Sequence, residues 1–234
     1  MGDVVIVTGA SRGIGKAITL RLFSEGYKVA AFGRDLAKLE LLKAEIKDSE
    51  KFKIFSGDVT DSEFVTSSVK QIEEEWGKVD HLINNAGLAI FRKFVDSDLE
   101  SFKAQMDVNM YGVYNFSKAV VDGMISRNSG SIITISSLAG KNGFNYGTMY
   151  SATKHAVMGF SRSLMLELRE YNIRVGTVCP GSVDTDMITG TPIEPGDASK
   201  ILSSEDVAEV VSAMLKLPPR ALVSELEIRP TNPK

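Results

Sequence analysis

The chain has few of the residues that build metal sites and disulfides. Its 234 residues include one cysteine, Cys179, and two histidines, His81 and His155. A single cysteine cannot form an internal disulfide, and these Cys and His residues show no zinc-binding spacing. Cys179 lies in the apolar run VGTVCP, where a buried structural thiol is favoured over a nucleophile. We therefore expect no metal site.

A basic excess and long apolar runs are also lacking. The formal net charge of -3 gives nothing that would attract nucleic acid or an anionic membrane surface. No run of about 18 apolar residues occurs, and a strand pattern begins by residue 3, which leaves no room for a signal peptide. These absences predict a cytoplasmic protein with a small-molecule ligand.

Short β-branched runs alternate with segments of helical period along the whole chain. The predicted strands are residues 4–8, 28–32, 52–56, 81–85, 131–136, 173–178 and 226–229. The predicted helices lie near residues 14–25, 36–47, 62–76, 98–127, 148–171 and 204–216. This alternation is typical of βαβ units. The sequence therefore predicts an α/β fold in which residues 1–234 form one Rossmann-type domain, a doubly wound parallel sheet of about seven strands with helices on both faces.

One extended polar loop, between Thr185 and Ser203, follows the sixth predicted strand. Loops at the carboxyl ends of strands border the ligand crevice of open sheets. Residues 186–203 are therefore predicted to form a substrate lid.

The segment VVIVTGASRGIG, residues 4 to 15, allows two interpretations. Its Gly-x-Ser-x-Gly pattern fits the nucleophile elbow of a serine hydrolase with Ser11 as the nucleophile, but only ten residues precede Ser11, too few for the strand and loop of an oxyanion hole. Gly9, Gly13 and Gly15 instead fit a turn that brings nucleotide phosphates to a helix N-terminus. A strand before the turn and a helix after it favour the nucleotide-binding interpretation.

Further motifs follow in order along the chain. They are Asn84-Asn85-Ala86-Gly87, Asn109, Ser137, Tyr150 with Lys154, and Pro180-Gly181 with Thr185. Together with Thr8 and the glycine turn, they resemble the classical short-chain dehydrogenase/reductase family from residue 4 to about residue 187. The resemblance implies a homo-oligomer, a dimer or tetramer, and a cofactor site built from Gly9, Ser11, Arg12, Gly13, Ile14, Gly15, Arg34, Asp58, Val59, Asn85, Ala86, Gly87, Tyr150, Lys154, Pro180, Gly181, Val183 and Thr185.

The Tyr-x-x-x-Lys spacing occurs twice, at Tyr150 with Lys154 and at Tyr114 with Lys118, and each tyrosine has a serine thirteen residues upstream. Ser101 and Tyr114 fall in one predicted helix, about 20 Å apart along its axis, too far to hold one carbonyl. Ser137 instead ends a strand and Tyr150 begins the next helix, so both can face the ligand edge of the sheet. The pair Tyr150 and Lys154 is therefore the predicted catalytic pair.

Reduction of a ketone needs a proton donor at the developing alkoxide, and Tyr150 is the predicted donor. A free phenol has a pKa of about 10, so a cation such as Lys154 is needed to favour the phenolate. The resemblance implies that Lys154 also binds the nicotinamide ribose, that Ser137 orients the carbonyl, and that Asn109 holds a water of the proton relay. An asparagine in mid-helix also suggests a kink or, equally, a solvent-facing side chain.

Charge at the end of the second strand predicts NADP(H) over NAD(H). Gly33 stands where NAD-preferring sites have an acid, Arg34 follows it, and Arg12 lies within the glycine turn. If the second strand ended one residue later, the Asp35 carboxylate would lie near the ribose and would favour NAD(H) instead.

The sequence thus predicts an NADP(H)-dependent enzyme, a carbonyl reductase acting on a small carbonyl or alcohol substrate. Two alternatives stay open. One is an enzyme like 3-oxoacyl-acyl-carrier-protein reductases, although the end ELEIRPTNPK lacks the glycine-rich finish of many of them. The other is a non-catalytic nucleotide sensor on the same fold, which would not need Ser137, Tyr150 and Lys154.

Overall fold

A single parallel sheet forms the centre of the molecule. The computed structural model of the chain describes residues 2–47 and 50–232. Within these ranges the strands are β1 Val4–Thr8, β2 Lys28–Gly33, β3 Phe52–Ser56, β4 His81–Asn84, β5 Gly130–Ile135, β6 Ile173–Pro180 and β7 Glu225–Ile228. Their order is β3-β2-β1-β4-β5-β6-β7, and each neighbouring pair is parallel. The predicted doubly wound sheet of about seven strands is confirmed.

The helices connect the strands and cover the sheet. They are α1 Gly13–Ser24, α2 Leu36–Ile46, α3 Ser62–Trp76, α4 Leu99–Met106, α5 Gly112–Arg127, α6 Thr148–Leu168 and α7 Ser204–Lys216. Capping side chains set several starts: Asp35 caps α2, Asp61 caps α3, and Ser203 forms a capping box with Asp206 at α7.

The long helix predicted over residues 98–127 is interrupted. Asp107–Tyr111 form a π-helical turn between α4 and α5. The predicted helix 148–171 also ends early, at Leu168, and a 3₁₀ turn leads to Asn172 in the left-handed region at φ 54°. An asparagine tolerates this conformation and stops the helix.

The strands are buried on both faces. Val5 and Val7 of β1 pack with apolar residues of α1, α2 and α7, whereas Val4 and Ile6 pack with those of α3 and α5. Two helical layers therefore enclose the sheet, as continuous apolar strands of a parallel sheet require.

The order of the strands fixes where a ligand can bind. The chain moves outward from β1 to β2 and β3, then returns to place β4 on the other side of β1. Helices α1 and α5, which follow β1 and β4, therefore cover opposite faces of the sheet, and a crevice opens at the carboxyl edge between them. None of the helices in the described ranges is long and apolar enough to span a membrane.

Candidate active site

The turn after β1 is shaped by glycine. Gly9 has a φ of +65°, and a Cβ on Gly15 would lie 2.2 Å from the carbonyl oxygen of Gly9. Helix α1 starts at Gly13 with no acidic residue in its first turn, and the Arg12 side chain makes no capping hydrogen bond. The amides at this helix start, together with the helix dipole, suit an anionic phosphate.

Hydrogen bonds tie this turn to the loop after β4. The Thr8 hydroxyl accepts from the backbone N–H groups of Asn85 and Ala86, each at 2.9 Å. The Asn85 side chain donates to the carbonyls of Thr8 and Gly9 at 2.9 and 3.2 Å. Asn85, predicted as a cofactor ligand, therefore holds the glycine turn in place with its amide.

A cavity of about 430 Å³ opens at this edge of the sheet, a size typical of ligand sites. It brings together most of the predicted cofactor residues: Gly9, Ser11, Arg12, Gly13, Ile14, Gly15, Arg34, Asp58, Val59, Asn85, Ala86, Gly87, Tyr150, Lys154 and Thr185. The lining also includes Lys38, Gly57 and Val108, which were not predicted, and Asp186 and Met187 from the start of the predicted lid.

Three predicted cofactor residues do not line the cavity. Pro180 ends β6 and pairs with Ile228 of β7. The Gly181 N–H donates to the Ile228 carbonyl at 2.8 Å. Val183 is buried and bridged to Leu202. Pairing with β7 and with Leu202 thus engages this segment, which precedes the loop that carries Thr185.

One end of the cavity carries balanced charge. Arg34 lies 3.8 Å from Asp58, and Arg12 lies 3.1 Å from Asp186. β2 ends at Gly33, and the carboxylate of Asp35 accepts from the Lys38 N–H at 3.1 Å as the cap of α2. The Asp35 carboxylate is therefore engaged in capping, and Lys38 adds a third cation, which was not predicted.

The tyrosine and lysine of the predicted catalytic pair are buried at the other end. Tyr150 and Lys154 lie one turn apart on α6, with the Lys154 Nζ 5.7 Å from the Tyr150 ring centroid. The Lys154 ammonium donates to the Ile135 carbonyl at 3.0 Å. Burial lowers the pKa of Lys154 to about 8, against a smaller opposing influence of the Cys179 sulfur.

The pKa of Tyr150 moves opposite to the predicted direction. Burial raises it to about 12, and a hydrogen bond with the Ser137 side chain acts against this rise. The prediction assumed that the charge of Lys154 would dominate. Desolvation of the phenolate is the larger effect in the protein alone.

Ser137 and Asn109 support this end of the site without lining the cavity. Ser137 begins a 3₁₀ turn, and its hydroxyl accepts from the Ala139 N–H at 3.1 Å. Asn109 is buried within the π-helical turn: its Oδ1 accepts from the Leu88 N–H at 2.7 Å, and its Nδ2 donates to the Leu88 carbonyl at 2.8 Å and to the Thr153 hydroxyl at 2.9 Å. The helix is distorted at Asn109, and the side chain faces inward.

The surroundings of the chain's two histidines do not suit the hydrolase interpretation of Ser11. His81 pairs with Val5 inside the sheet and its ring lies 3.6 Å from Asp3. His155 is exposed, and its Nδ1 bonds the Ser151 carbonyl. In the described part of the chain, no cluster of three or more His, Cys, Asp or Glu side chains could hold a metal ion.

Known proteins share this fold and sequence pattern. The short chain dehydrogenase family model matches residues 3–194. An uncharacterized oxidoreductase of Staphylococcus saprophyticus is 36% identical over 229 residues, covering 97% of each chain. Farnesol dehydrogenase of Aedes aegypti is 35% identical over 241 residues, covering 100% of this chain and 98% of that protein. The closed form of serine dehydrogenase complexed with NADP+ has a TM-score of 0.90 at 34% identity, covering 97% of this chain and 94% of that one. Further matching structures also contain NADP.

Proposed function

The chain belongs to the short-chain dehydrogenase/reductase family of oxidoreductases, and from this premise we propose that it interconverts a ketone or aldehyde and an alcohol with NADP(H). One observation carries the proposal. A glycine turn suited to phosphate and the buried pair of Tyr150 and Lys154 line the same cavity. A nucleotide sensor would need only the first of these two features.

The residues present fit a dinucleotide. The α1 amides beyond Gly13 and the cavity volume accommodate a diphosphate. When bound, NADPH supplies a hydride to the carbonyl carbon and becomes NADP+. The protein's part is to hold the carbonyl and deliver a proton.

We assign the proton transfer to the Tyr150 phenol. As the hydride reaches the carbonyl carbon, the oxygen gains charge and takes the phenolic proton, which gives the alcohol and a phenolate. The charge of Lys154, protonated below its pKa of about 8, favours that phenolate. The Ser137 side chain acts to lower the pKa of Tyr150, and we assign its hydroxyl to orient the same carbonyl oxygen.

Asn109 acts as a positioning residue in this proposal. Its amide fixes the loop at Leu88 to Thr153, which lies between Tyr150 and Lys154 on α6. A Cβ built on Gly87, which lines the cavity, would lie 3.5 Å from the Asn109 Oδ1. This oxygen is therefore close to the cavity. A relay water bound by Asn109 would use the remaining lone pair of Oδ1.

The cofactor preference rests on three cations. Arg12, Arg34 and Lys38 line the cavity near the end of β2, where the ribose 2′-phosphate of NADP would lie. The carboxylates nearby bond within the protein: Asp35 caps α2, and Asp58 accepts from the Thr60 N–H and hydroxyl. We therefore propose that NADP(H) is preferred over NAD(H).

Fluorescence titration tests this preference. Arg34→Ala and Arg12→Ala should each raise the Kd for NADPH about tenfold or more, because each removes a charge-assisted hydrogen bond, while the Kd for NADH changes little. Arg169→Ala, an exposed arginine beyond the end of α6, is the matched control and should change neither Kd. Wild-type protein that binds NADH as tightly as NADPH would overturn the preference.

The relatives do not agree on a substrate, since one is named for farnesol and another for serine. Turnover is therefore tested with a panel of ketones, aldehydes and alcohols, followed by the change in NADPH absorbance. The expected result is reduction of at least one carbonyl class. Tight NADPH binding with no turnover on any class would contradict the enzymatic proposal and favour a sensor.

We also propose an oligomer, a dimer or tetramer. Phe94, Val95 and Leu99 expose 70%, 85% and 65% of their surface, and exposed apolar side chains this close together mark interaction surfaces. Light scattering should find no monomer at micromolar concentration, and a monomer there would refute the proposal.

A further inference from the structure

Two phenylalanines line up beside the tyrosine of the site. The Phe91 ring meets the Tyr150 ring edge to face at a centroid distance of 5.5 Å, and Phe144 lies 6.0 Å from Phe91. We call Phe91, Phe144 and the Tyr150 ring the aromatic wall. The proposed proton transfer from Tyr150 does not involve Phe91 or Phe144. The position of these two rings beside Tyr150 therefore needs a separate explanation.

The Phe144 side of the wall is held by an unusual turn. Tyr146 has a φ of +68°, a left-handed conformation that is rare for a bulky residue. Gly147, which follows it, leaves room for the Phe144 ring: a Cβ there would lie 2.2 Å from that ring. The turn therefore presses the Phe144 ring onto the backbone at the start of α6, although the residue is 38% exposed.

Backbone hydrogen bonds hold the loop that carries Phe91. The Ile90 N–H donates to the Gln105 side chain at 3.1 Å, and the Arg92 N–H donates to the Tyr146 carbonyl at 3.0 Å. The two sides of the wall are thus joined by a backbone hydrogen bond. A surface fixed before its ligand arrives loses less entropy on binding, which suits recognition.

The cationic side chains that lie close in sequence to Phe91 and Phe144 are paired with carboxylates or exposed to solvent. Arg92 pairs with Asp98 at 3.1 Å, and Lys141 pairs with Glu225 and Glu227 at 3.1 Å each. Lys93 is exposed to solvent. A charged substrate group placed against the wall would lose its hydration without gaining a partner, which is costly.

The first residues of the predicted lid add an apolar surface on another side. Met187 lines the cavity, and its terminal methyl lies 3.8 Å from the position of a Cβ on Gly87. A methionine side chain is flexible and adapts to apolar and aromatic groups.

We propose that the wall selects carbonyl substrates that carry an apolar aromatic or unsaturated group near the carbonyl, and discriminates against those with a carboxylate in its place. This inference rests on the proposed function, because the carbonyl is taken to lie at Tyr150. Edge-to-face contacts with Phe91 and Phe144 would hold the apolar group while the carbonyl meets the phenol.

Benzylacetone and levulinate form a matched pair for the test, since both are methyl ketones and differ in a phenyl or a carboxylate two carbons away. With NADPH, kcat/KM for benzylacetone should exceed that for levulinate by on the order of 10² or more. Phe144→Ala should lower kcat/KM for benzylacetone about tenfold and that for 2-butanone by a clearly smaller factor. Leu166→Ala removes a 59% exposed apolar side chain outside the wall and should change neither.

A binding measurement separates this inference from the proposed function. The enzyme–NADP+ complex cannot reduce a ketone, so calorimetry of that complex measures ketone binding without turnover. Benzylacetone that binds there more tightly than levulinate supports the wall even if NADPH reduces no carbonyl of the panel, a result that would overturn the proposed function alone. Equal affinity for the two ketones would overturn the wall. It would also be overturned if a folded Phe144→Ala protein with unchanged NADPH affinity lost kcat/KM by the same factor for benzylacetone and for 2-butanone.

Discussion

Two Tyr-x-x-x-Lys pairs lie on neighbouring helices and have contrasting surroundings. On α6, Tyr150 and Lys154 expose 8% and 5% of their surface and line the cavity. On α5, Tyr114 is 49% exposed, and the side chain of Lys118 is 59% exposed and lies 3.3 Å from Asp122. The spacing places each pair on one helix face. Burial at the carboxyl edge of the sheet is what distinguishes the pair suited to chemistry.

The two helices are also physically connected. The Asn109 amide in the π-helical turn before α5 donates to the Thr153 hydroxyl, which in turn donates to the Tyr150 carbonyl at 2.8 Å. The buried pair is therefore held by the segment that precedes the exposed pair. The same substitution made in each pair, first of the tyrosine and then of the lysine, tests whether burial rather than spacing determines which pair is catalytic.

The largest effect is expected from the phenols. Tyr150→Phe removes the proton donor and keeps the ring, so kcat for carbonyl reduction should fall by on the order of 10² to 10⁴ with NADPH affinity nearly unchanged. Tyr114→Phe should leave kcat within a factor of about two, since its hydroxyl lies at the surface. Equal losses in the two variants would mean that the site has been placed at the wrong pair.

The lysines should differ by a smaller margin. Lys154→Met removes the cation that favours the phenolate, and an opposite charge at this range is worth one to three pKa units, so kcat should fall about tenfold to a hundredfold or more. Lys118→Met breaks only a surface ion pair and should have no measurable effect on kcat. Steady-state kinetics of both variants provide the measurement.

The pH dependence sharpens the same contrast. Burial lowers the pKa of Lys154 to about 8, whereas Tyr150 keeps its proton up to about 12. As pH rises through about 8, Lys154 loses its charge first, so the reduction rate should fall there while the phenol is still protonated. Lys154→Met should lack this fall, and Lys118→Met should retain it. A wild-type rate that stays flat from pH 7 to about 10 would refute this assignment.

The smallest effect concerns the link between the helices. Asn109→Ala leaves the N–H and carbonyl of Leu88 without their side-chain partner, which should lower the free energy of unfolding by about 1 to 3 kcal/mol in urea titrations. The control Asn115→Ala removes one bond from the same helical segment, to the Val59 carbonyl at 3.0 Å, and should cost less. A larger loss in Asn115→Ala would contradict the central position given to Asn109.

The features that were predictable from sequence are those with local signals. β-Branched runs predicted the strands. Gly33 was predicted to lie at the end of the second strand, and β2 does end at Gly33. The start of α2 at residue 36 was predicted as well, but the Asp35 cap and the presence of Lys38 in the cavity lining were not. A cap at Asp35 could have been recognised from its position before a helical pattern, with Lys38 then in the first turn.

Other features depend on distances that no local pattern contains. The raised pKa of Tyr150 reflects how completely neighbouring elements bury it. The backbone pairing of Pro180 and Gly181 involves β7, more than forty residues later in the chain. The aromatic wall likewise joins Phe91 and Phe144 from separate loops. These are tertiary effects, and residue spacing alone does not determine them.

The π-helical turn at Asp107–Tyr111 makes the length of this segment critical. Each residue of an α-helix advances the side-chain direction by about 100°. A π-helical turn contains more residues per turn than an α-helix, so removal of one residue from it would restore a regular helix and displace Asn109 from Leu88 and Thr153. Substitutions here can be accommodated one side chain at a time, but insertions and deletions cannot, so we expect chains that keep this site to keep the number of residues between Leu99 and Arg127 as well.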